Sequence, residues 1–304
     1  MLQLEQLTRA VCQIAREAGA YIRSERLRFS SERIERKHAH DYVSYVDKGS
    51  EQLIVSALRQ LLPEAGFVTE EGTTKMSDAS PLASHLSPLA SHLSPLTSDL
   101  TWVIDPLDGT TNFIHQYAPY AVSIALLQGT TVLLGVVYEV CADECYYAWQ
   151  GGGAYVELRV NSEEFSPCER PEVERRVEPL HVSTSAIDDA LLCLQLPYNS
   201  EAYKPVVRHL IDTFYGRAAS IRMIGSAAMA LCYVAAGRLD GYAEQYLGRW
   251  DYMAGSRIVL EAGGIVSDYS GSADYTRGNS VVAANSHVHR ELLEAIIPKN
   301  KTSK

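Results

Sequence analysis

The segment of this chain with the most chemistry in it runs Trp102-Val-Ile-Asp105-Pro106-Leu107-Asp108-Gly109-Thr110-Thr111-Asn112-Phe113. Apolar residues from Leu100 lead into it, so a buried strand would deliver Asp105 at its C-terminal end, where α/β folds place ligands. Pro106 stiffens the turn and brings Asp108 back beside Asp105. Two carboxylates on one tight turn repel each other unless a cation sits between them. All-oxygen ligands of this kind suit Mg²⁺, which keeps several waters and pairs with phosphate oxygens. Gly109 allows close backbone approach, and the amides of Gly109 and Thr110 could cradle a phosphate at the start of a helical turn. Taken alone, the same residues fit a surface turn of the Asp-Pro-x-Asp-Gly kind equally well.

Positioning these groups requires a scaffold, and the periodicity supplies one. Helical spacing covers residues 2–28 and 44–62, the second stretch opening on Ser44-Tyr45-Val46-Asp47 in the manner of a capping box. A short apolar stretch from Ala65 to Thr69 runs into Glu70-Glu71. Residues 120–127, 131–139 and 144–149 read as a β-meander, followed by a turn at Gly151-Gly152-Gly153. Residues 157–178, charged and proline-containing, read as a connection between halves. Beyond it come strand 219–224, helix 226–236, strand 240–245, helix 251–262, strands 264–268 and 280–284, and helix 286–297. Such alternation predicts an α/β layered fold. Strand 240–245 ends just before the helix near Asp251, so Glu244 and Asp251 should emerge on one rim of a sheet. Residues 76–99 contain SPLASHL twice and a degraded third copy. A proline in every repeat denies it helix, so it reads as a low-complexity surface insertion, with His85 and His92 as solvated repeat residues.

Asp105 to Phe113 resembles the first signature of the inositol monophosphatase family, and Trp250-Asp251 through Glu261-Ala262-Gly263-Gly264 resembles the second. Asp41-Tyr-Val-Ser-Tyr-Val-Asp47 and Glu70-Glu71 match the family's remaining acidic elements in order. The resemblance covers nearly the whole chain apart from the insert and the 157–178 connection. It implies an α/β (α+β) fold, the α-β-α-β-α layered sandwich of the inositol monophosphatase and fructose bisphosphatase type. Residues 1–304 would form one unit, with an N-terminal half of about 1–156 and a C-terminal half of about 179–304.

The same resemblance implies a Mg²⁺-dependent, lithium-sensitive phosphoric monoester hydrolase with two to three Mg²⁺ per site. Glu70, Asp105 and the backbone carbonyl of Leu107 would hold one ion. Asp105, Asp108 and Asp251 would hold another, with Asp105 bridging, and a weaker third ion would lie near Glu70. Gly109 and Thr110 would bind phosphate through their amides. Glu70 and the Asp47–Thr110 pair would orient and deprotonate the attacking water for in-line displacement of the alcohol. Four carboxylates, those of Glu70, Asp105, Asp108 and Asp251, balance two Mg²⁺, so a phosphate dianion would meet a neutral pocket.

Substrate contacts are expected at Ser226, Ala227 and Glu244. Gly225-Ser226-Ala227 matches a Gly-Thr-Ala sugar-contact segment, and Glu244 stands where inositol-type members carry a hydroxyl-binding glutamate. Met253 stands where the second signature usually has a small residue; it removes no ligand, but its bulk could reshape the wall beside the second ion. The substrate implied is inositol 1-phosphate or a similar polyol phosphate. Histidinol phosphate phosphatases share the Thr-Thr-Asn form and give the alternative; bisphosphate nucleotidases, which carry Lys-Glu there, fit less well. A metal-binding interaction protein with little catalysis is the competing reading from another class. Family members are commonly homodimers.

Composition is ordinary for a soluble globular protein: 304 residues, 46% hydrophobic and 21% charged, with a formal net charge of −10. An acidic chain is not expected to bind nucleic acid or an anionic membrane through charge alone. No run of 18 apolar residues exists to span a membrane. The N-terminus is interrupted by Glu5, Arg9, Arg16 and Glu17, and so reads as an amphipathic helix of a cytoplasmic protein rather than a secretory signal. Six cysteines lie scattered in apolar stretches, Cys141 and Cys145 alone being close, and read as buried free thiols.

Overall fold

The longest strands are buried almost end to end, and their residues divide between two cores, Trp102 and Ile104 joining one and Val103 the other, which sorts the chain into layers. The computed structural model describes residues 2–29, 34–38, 41–72, 99–160, 174–197 and 202–297. The insert expected over 76–99 lies outside the described residues except for Asp99, and so does Cys168.

The first part of the chain runs α1 (Leu2–Arg26), β1 (Ile34–His38), β2 (Asp41–Ser44), α2 (Tyr45–Leu61), β3 (Gly66–Thr69), β4 (Leu100–Asp108) and α3 (Thr110–His115). Then follow β5 (Ala121–Gln128), β6 (Thr131–Glu139), β7 (Glu144–Trp149), β8 (Gly153–Arg159) and β9 (Arg175–Pro179). Strands β3 to β9 form a seven-stranded sheet in sequence order, antiparallel except for the parallel β3–β4 pair. One face, with Trp102, Ile124, Leu134 and Val136, packs on the stripe Leu7, Val11, Ile14, Ala18 and Ile22 of α1 and on α2. That stripe has the 3–4 residue spacing of a single helix face.

The chain continues through β10 (Leu191–Leu194), α4 (Lys204–Phe214), β11 (Ser220–Arg222), α5 (Ala227–Ala235), β12 (Gly241–Gln245), α6 (Arg249–Glu261), β13 (Ile265–Ser267), β14 (Ser280–Ala284) and α7 (Ser286–Ile296). These strands make a five-stranded mixed sheet in the order β11-β10-β12-β14-β13. Helices α5 and α6 fill the space between the sheets, touching Val103, Ala125 and Val137 on one side and Tyr242, Val281 and Ala283 on the other. Helices α4 and α7 cover the far face through Leu210, Phe214, Val288 and Leu292. The result is the expected α-β-α-β-α sandwich. Helix α5 can be apolar nearly all round because both its sides are buried. A Cβ on Gly135 would lie 2.3 Å from the carbonyl oxygen of Ala254, so β6 and α6 meet backbone to backbone at a position only glycine allows.

Three expectations are corrected, and two elements are new. The 157–178 stretch is not a plain connection, because its ends are β8 and β9, paired antiparallel from Tyr155↔Pro179 to Arg159↔Arg175. Strand β10 and helix α4 were not anticipated. Met253 is fully buried among the inter-sheet apolar residues and does not line the cleft described below. Cys141 is exposed, whereas Cys12, Cys145, Cys193 and Cys232 are buried free thiols. Among the described residues no helix is long and apolar enough to cross a membrane.

Candidate active site

A strand sends residues i and i+3 to opposite faces, yet Asp105 and Asp108 converge. The reason is a bulge. Asp105 pairs with Ser123 and Asp108 with Ala121, so three steps along β4 match two along β5. One extra residue restores the phase and turns both carboxylates the same way. Asp105 accepts the amide of Leu107 at 2.9 Å, which closes the turn over Pro106. Ser50 of α2 donates its hydroxyl to the Pro106 carbonyl at 3.0 Å and fastens the turn from below. Gly109 follows with φ 91°, a left-handed conformation that suits glycine, and starts α3.

Asp47 lies at the third position of α2 and closes its capping box: Oδ2 accepts the amide of Ser44 at 2.8 Å and its hydroxyl at 2.6 Å. The other oxygen accepts the Thr110 hydroxyl at 2.9 Å. The expected Asp47–Thr110 pair is therefore in contact. Thr110 also lies 3.0 Å from the carbonyl oxygen of Leu107, so its single proton is shared between two acceptors. Glu70 follows β3, its amide donating to the Ile104 carbonyl at 3.3 Å. The segment around it is held by Glu51 of α2, fully buried, which accepts from the Thr69 hydroxyl at 3.0 Å and from the Glu71 amide at 2.8 Å.

Helix α6 presents Asp251 from its first turn, where the side chain accepts the Gly248 amide at 2.6 Å. Ser123, the cross-strand neighbour of Asp105, donates to the carbonyl of Trp250 at 3.1 Å and ties that helix start to β5. Asp108 spans the two sheets. It accepts the Ser226 hydroxyl and the Ala228 amide (2.8 Å) on one oxygen and the Ala227 amide (3.3 Å) on the other, at the N-terminus of α5. Ser226, expected as a sugar contact, is 1% exposed, absent from the cleft lining, and committed to Asp108 and to capping Met229. Ala227 does line the cleft, as do Glu70, Leu107, Gly109, Thr110 and Glu244. Glu244 on β12 accepts the Tyr242 hydroxyl at 2.6 Å.

These groups line a cleft of about 580 Å³, within the range of about 300–1,000 Å³ usual for small-molecule sites. Asp105, Asp108 and Asp251 each offer an oxygen, all within 4.8 Å of one another. Burial, reinforced by the charges of Glu70, Asp108 and Asp251, holds the Asp105 carboxyl well above its ordinary range. Burial raises Asp251 likewise, with Asp108 and Glu70 adding to it. Asp108 is pushed up to about 6 by burial against its hydrogen bonds from Ser226 and α5. Glu244 is pushed up to about 8 by burial, opposed by the Tyr242 hydroxyl. A desolvated, all-oxygen cluster in which each carboxylate resists the others' ionisation fits a hard divalent cation.

That arrangement sets a pH signature. Folded pKa values lie above unfolded ones, so the folded chain holds protons that the unfolded chain has released. The stability this contributes is complete below the ordinary carboxylate range of about 4 and is lost as pH rises through about 6 to 8. Cations compete with those protons and should stabilise more where the protons have gone. In chelator, the melting temperature should fall between pH 5.5 and 8, and saturating Mg²⁺ should raise it more at pH 8 than at pH 6. Equal Mg²⁺ shifts at both pH values, read by differential scanning fluorimetry, would contradict the cation site.

Sequence reasoning missed the residues that fasten this site: Ser50, Glu51, Ser123, Asn112 and Gln195. Asn112 donates to the carbonyls of Pro119 (2.8 Å) and Ile224 (2.7 Å), joining α3 to the loop before β5 and to the segment before α5. Gln195 accepts from the amides of Ile224 and Gly225. Glu51 had a readable signal, since it shares the buried stripe of α2 with Asp47, Ile54 and Leu58. A charged residue in an apolar stripe is a group with a partner.

The profile of the inositol monophosphatase family matches residues 3–303. The Haemophilus influenzae protein named Nus factor SuhB is 34% identical over 285 residues, 93% of this chain and 93% of the relative. The inositol-1-monophosphatase of Mesorhizobium japonicum is 32% identical over 291 residues, 95% and 96% of the two chains. Among solved structures, the extragenic suppressor protein suhB of Bartonella henselae superposes with a TM-score of 0.76 at 28% identity, covering 98% of this chain and 100% of that one. The Thermotoga maritima IMPase gives 0.73 at 26% identity, covering 96% of each.

Proposed function

Because the chain belongs to the inositol monophosphatase family, we propose that it is a Mg²⁺-dependent phosphatase acting on the phosphomonoester of a hydroxylated alcohol, inositol 1-phosphate or a similar polyol phosphate being the simplest example. The observation that carries this is the convergence of three aspartate carboxylates, two buried and that of Asp251 half-buried, within 4.8 Å of one another on a cleft also lined by Glu70, Gly109 and Thr110. A surface turn, the bland reading of Asp105 to Gly109, would not be 2% and 8% exposed at its two aspartates.

Glu70, Asp105, the Leu107 carbonyl, Asp108 and Asp251 are the groups assigned to hold Mg²⁺, which when bound supplies Lewis acidity and charge neutralisation for phosphoryl transfer. The amides of Gly109 and Thr110 receive the phosphate oxygens. Thr110, with its proton directed to Asp47, keeps an oxygen lone pair to accept a proton from a water, and Glu70, on the same cleft, is assigned to orient that water. Asp108 cannot swing away, since three donors at the start of α5 fix it. Release of inorganic phosphate from a panel of small phosphomonoesters at saturating Mg²⁺ tests the assignment, with turnover of inositol 1-phosphate expected. A pure, folded protein that releases phosphate from none of them is not a phosphatase. That outcome would favour the second reading, an interaction protein, to which the name Nus factor on several relatives gives support.

Glu244 is assigned to the substrate's hydroxyl. A carboxylate would repel phosphate, but a half-buried carboxyl pushed up to about 8 both donates and accepts hydrogen bonds at neutral pH. Glu244→Ala should lower kcat/KM for inositol 1-phosphate about tenfold, the worth of roughly one hydrogen bond of about 1.4 kcal/mol, and Glu244→Gln should recover part of it. An aryl phosphate without hydroxyls should lose much less in Glu244→Ala. Equal losses on both esters, in a steady-state comparison, would assign Glu244 to the integrity of the site instead.

A further inference from the structure

The residue two positions beyond Glu244 breaks a backbone rule. Tyr246 has φ 67°, in the left-handed region that favours glycine and in which a bulky side chain is an outlier. Nothing in the fold asks for a tyrosine here. The chain merely turns after β12, so that the Leu247 amide can reach the Asn279 carbonyl at 2.9 Å, and glycine would make that turn without strain. Nor does the core need the ring, which is 53% exposed. Its ring packs against Tyr203 with centroids 5.6 Å apart and an interplanar angle of 45°, and it forms part of the cleft wall. Strain retained at a cleft is a pointer to function.

The surroundings give the pointer its chemistry. Tyr117 (61% exposed), Leu196 (56%) and Met223 (46%) line the same cleft. With Tyr246 they are four of the nine large hydrophobic side chains exposed among the described residues, gathered on one opening. Phosphate and polyol hydroxyls gain nothing from such a rim, whereas a flat ring gains by stacking and by leaving water. Clustered exposed apolar groups of this kind mark a binding surface. We propose that this rim is a subsite for a flat ring carried on the alcohol side of the phosphomonoester, with Tyr246 as the residue that selects for it. The inference rests on the phosphatase reading and narrows its substrate: phosphate at Gly109 and Thr110, a hydroxyl at Glu244, and the ring against Tyr246.

The test compares the full-length Mg²⁺-loaded protein with Tyr246→Gly and Tyr246→Phe on three esters. These are inositol 1-phosphate, with no flat ring, adenosine 5′-monophosphate, whose ring is a nucleobase, and 2-phenylethyl phosphate, whose ring is a simple arene. The ratio of kcat/KM for a ring ester to that for inositol 1-phosphate should fall about tenfold in Tyr246→Gly, equivalent to about 1.4 kcal/mol, and stay within about twofold in Tyr246→Phe. Tyr246→Gly relieves the backbone, so its melting temperature should not drop by more than a few degrees. A fall confined to adenosine monophosphate identifies the ring as a nucleobase, and one confined to the phenyl ester as an arene. An unchanged ratio, or equal loss on all three esters, overturns the subsite while leaving the phosphatase reading intact. Should none of the esters be hydrolysed, that reading fails, and calorimetric binding of the two ring esters to wild type and Tyr246→Gly still decides the rim: equal affinity overturns it.

Discussion

Asp105→Asn is expected to lower phosphate release by at least about a thousandfold at saturating Mg²⁺, the scale of removing a principal electrostatic stabiliser. Asp105 is 2% exposed, lies at the bulge of β4, and is the carboxyl whose ionisation Glu70, Asp108 and Asp251 all oppose. It is therefore the position from which a single charge serves every neighbouring ligand. Asparagine has the same shape, and its carbonyl oxygen can still accept the Leu107 amide that Asp105 accepts at 2.9 Å. The fold should survive and even gain: with one repelling charge gone, the variant in chelator at pH 8 should melt above the wild type. Loss of turnover together with that gain distinguishes removal of a cation ligand from damage to the core. Near wild-type turnover in Asp105→Asn would remove the metal assignment.

Asp47→Asn should cost about a hundredfold or more in kcat, within the range of about 10²–10⁴ associated with positioned proton transfer. Asp47 serves three donors with two oxygens, taking both Ser44 groups on one and the Thr110 hydroxyl on the other. An asparagine has one accepting oxygen, so it can keep the helix cap or the Thr110 contact and not both. Keeping the cap leaves the Thr110 proton to the Leu107 carbonyl, 3.0 Å away, and away from Asp47. Keeping the Thr110 contact strips the Ser44 amide of its acceptor and leaves half the capping box, the Ser44 hydroxyl still taking the Val46 amide, at up to about 1 kcal/mol of stability. The variant should therefore show lower kcat with KM changed less, and Thr110→Ala should reproduce the kinetic loss without the melting shift. Full activity in either variant would free the pair from any part in proton transfer.

How much of this was legible in the sequence follows from the range of each interaction. The ligand turn was readable because Asp105, Pro106, Asp108 and Gly109 are adjacent, and the α2 cap because Ser44 and Asp47 are three apart. The bulge that makes the two aspartates face one way was not readable, since it is defined only against β5. The bond between Ser226 and Asp108 joins residues 118 positions apart. Resemblance to a sugar-contact segment therefore suggested a substrate role for Ser226, while the cap of α5 claims its hydroxyl. Strand β10 is four apolar residues, too short for its period to separate strand from helix. The 157–178 stretch looked like a linker because β9, RRVEP, carries charge on an exposed edge strand. Tyr246 looked ordinary in the sequence; only its φ makes it conspicuous.

Phosphate release from inositol 1-phosphate, followed while Mg²⁺ is titrated into chelator-stripped protein at pH 8, addresses the assignment of the carboxylate cluster most directly. Turnover should be absent without the ion and rise with Mg²⁺ to saturation, and Asp105→Asn should remain near the baseline at every concentration. Turnover that is present in chelator and indifferent to added Mg²⁺ would contradict the cluster of Asp105, Asp108 and Asp251 as the seat of the reaction.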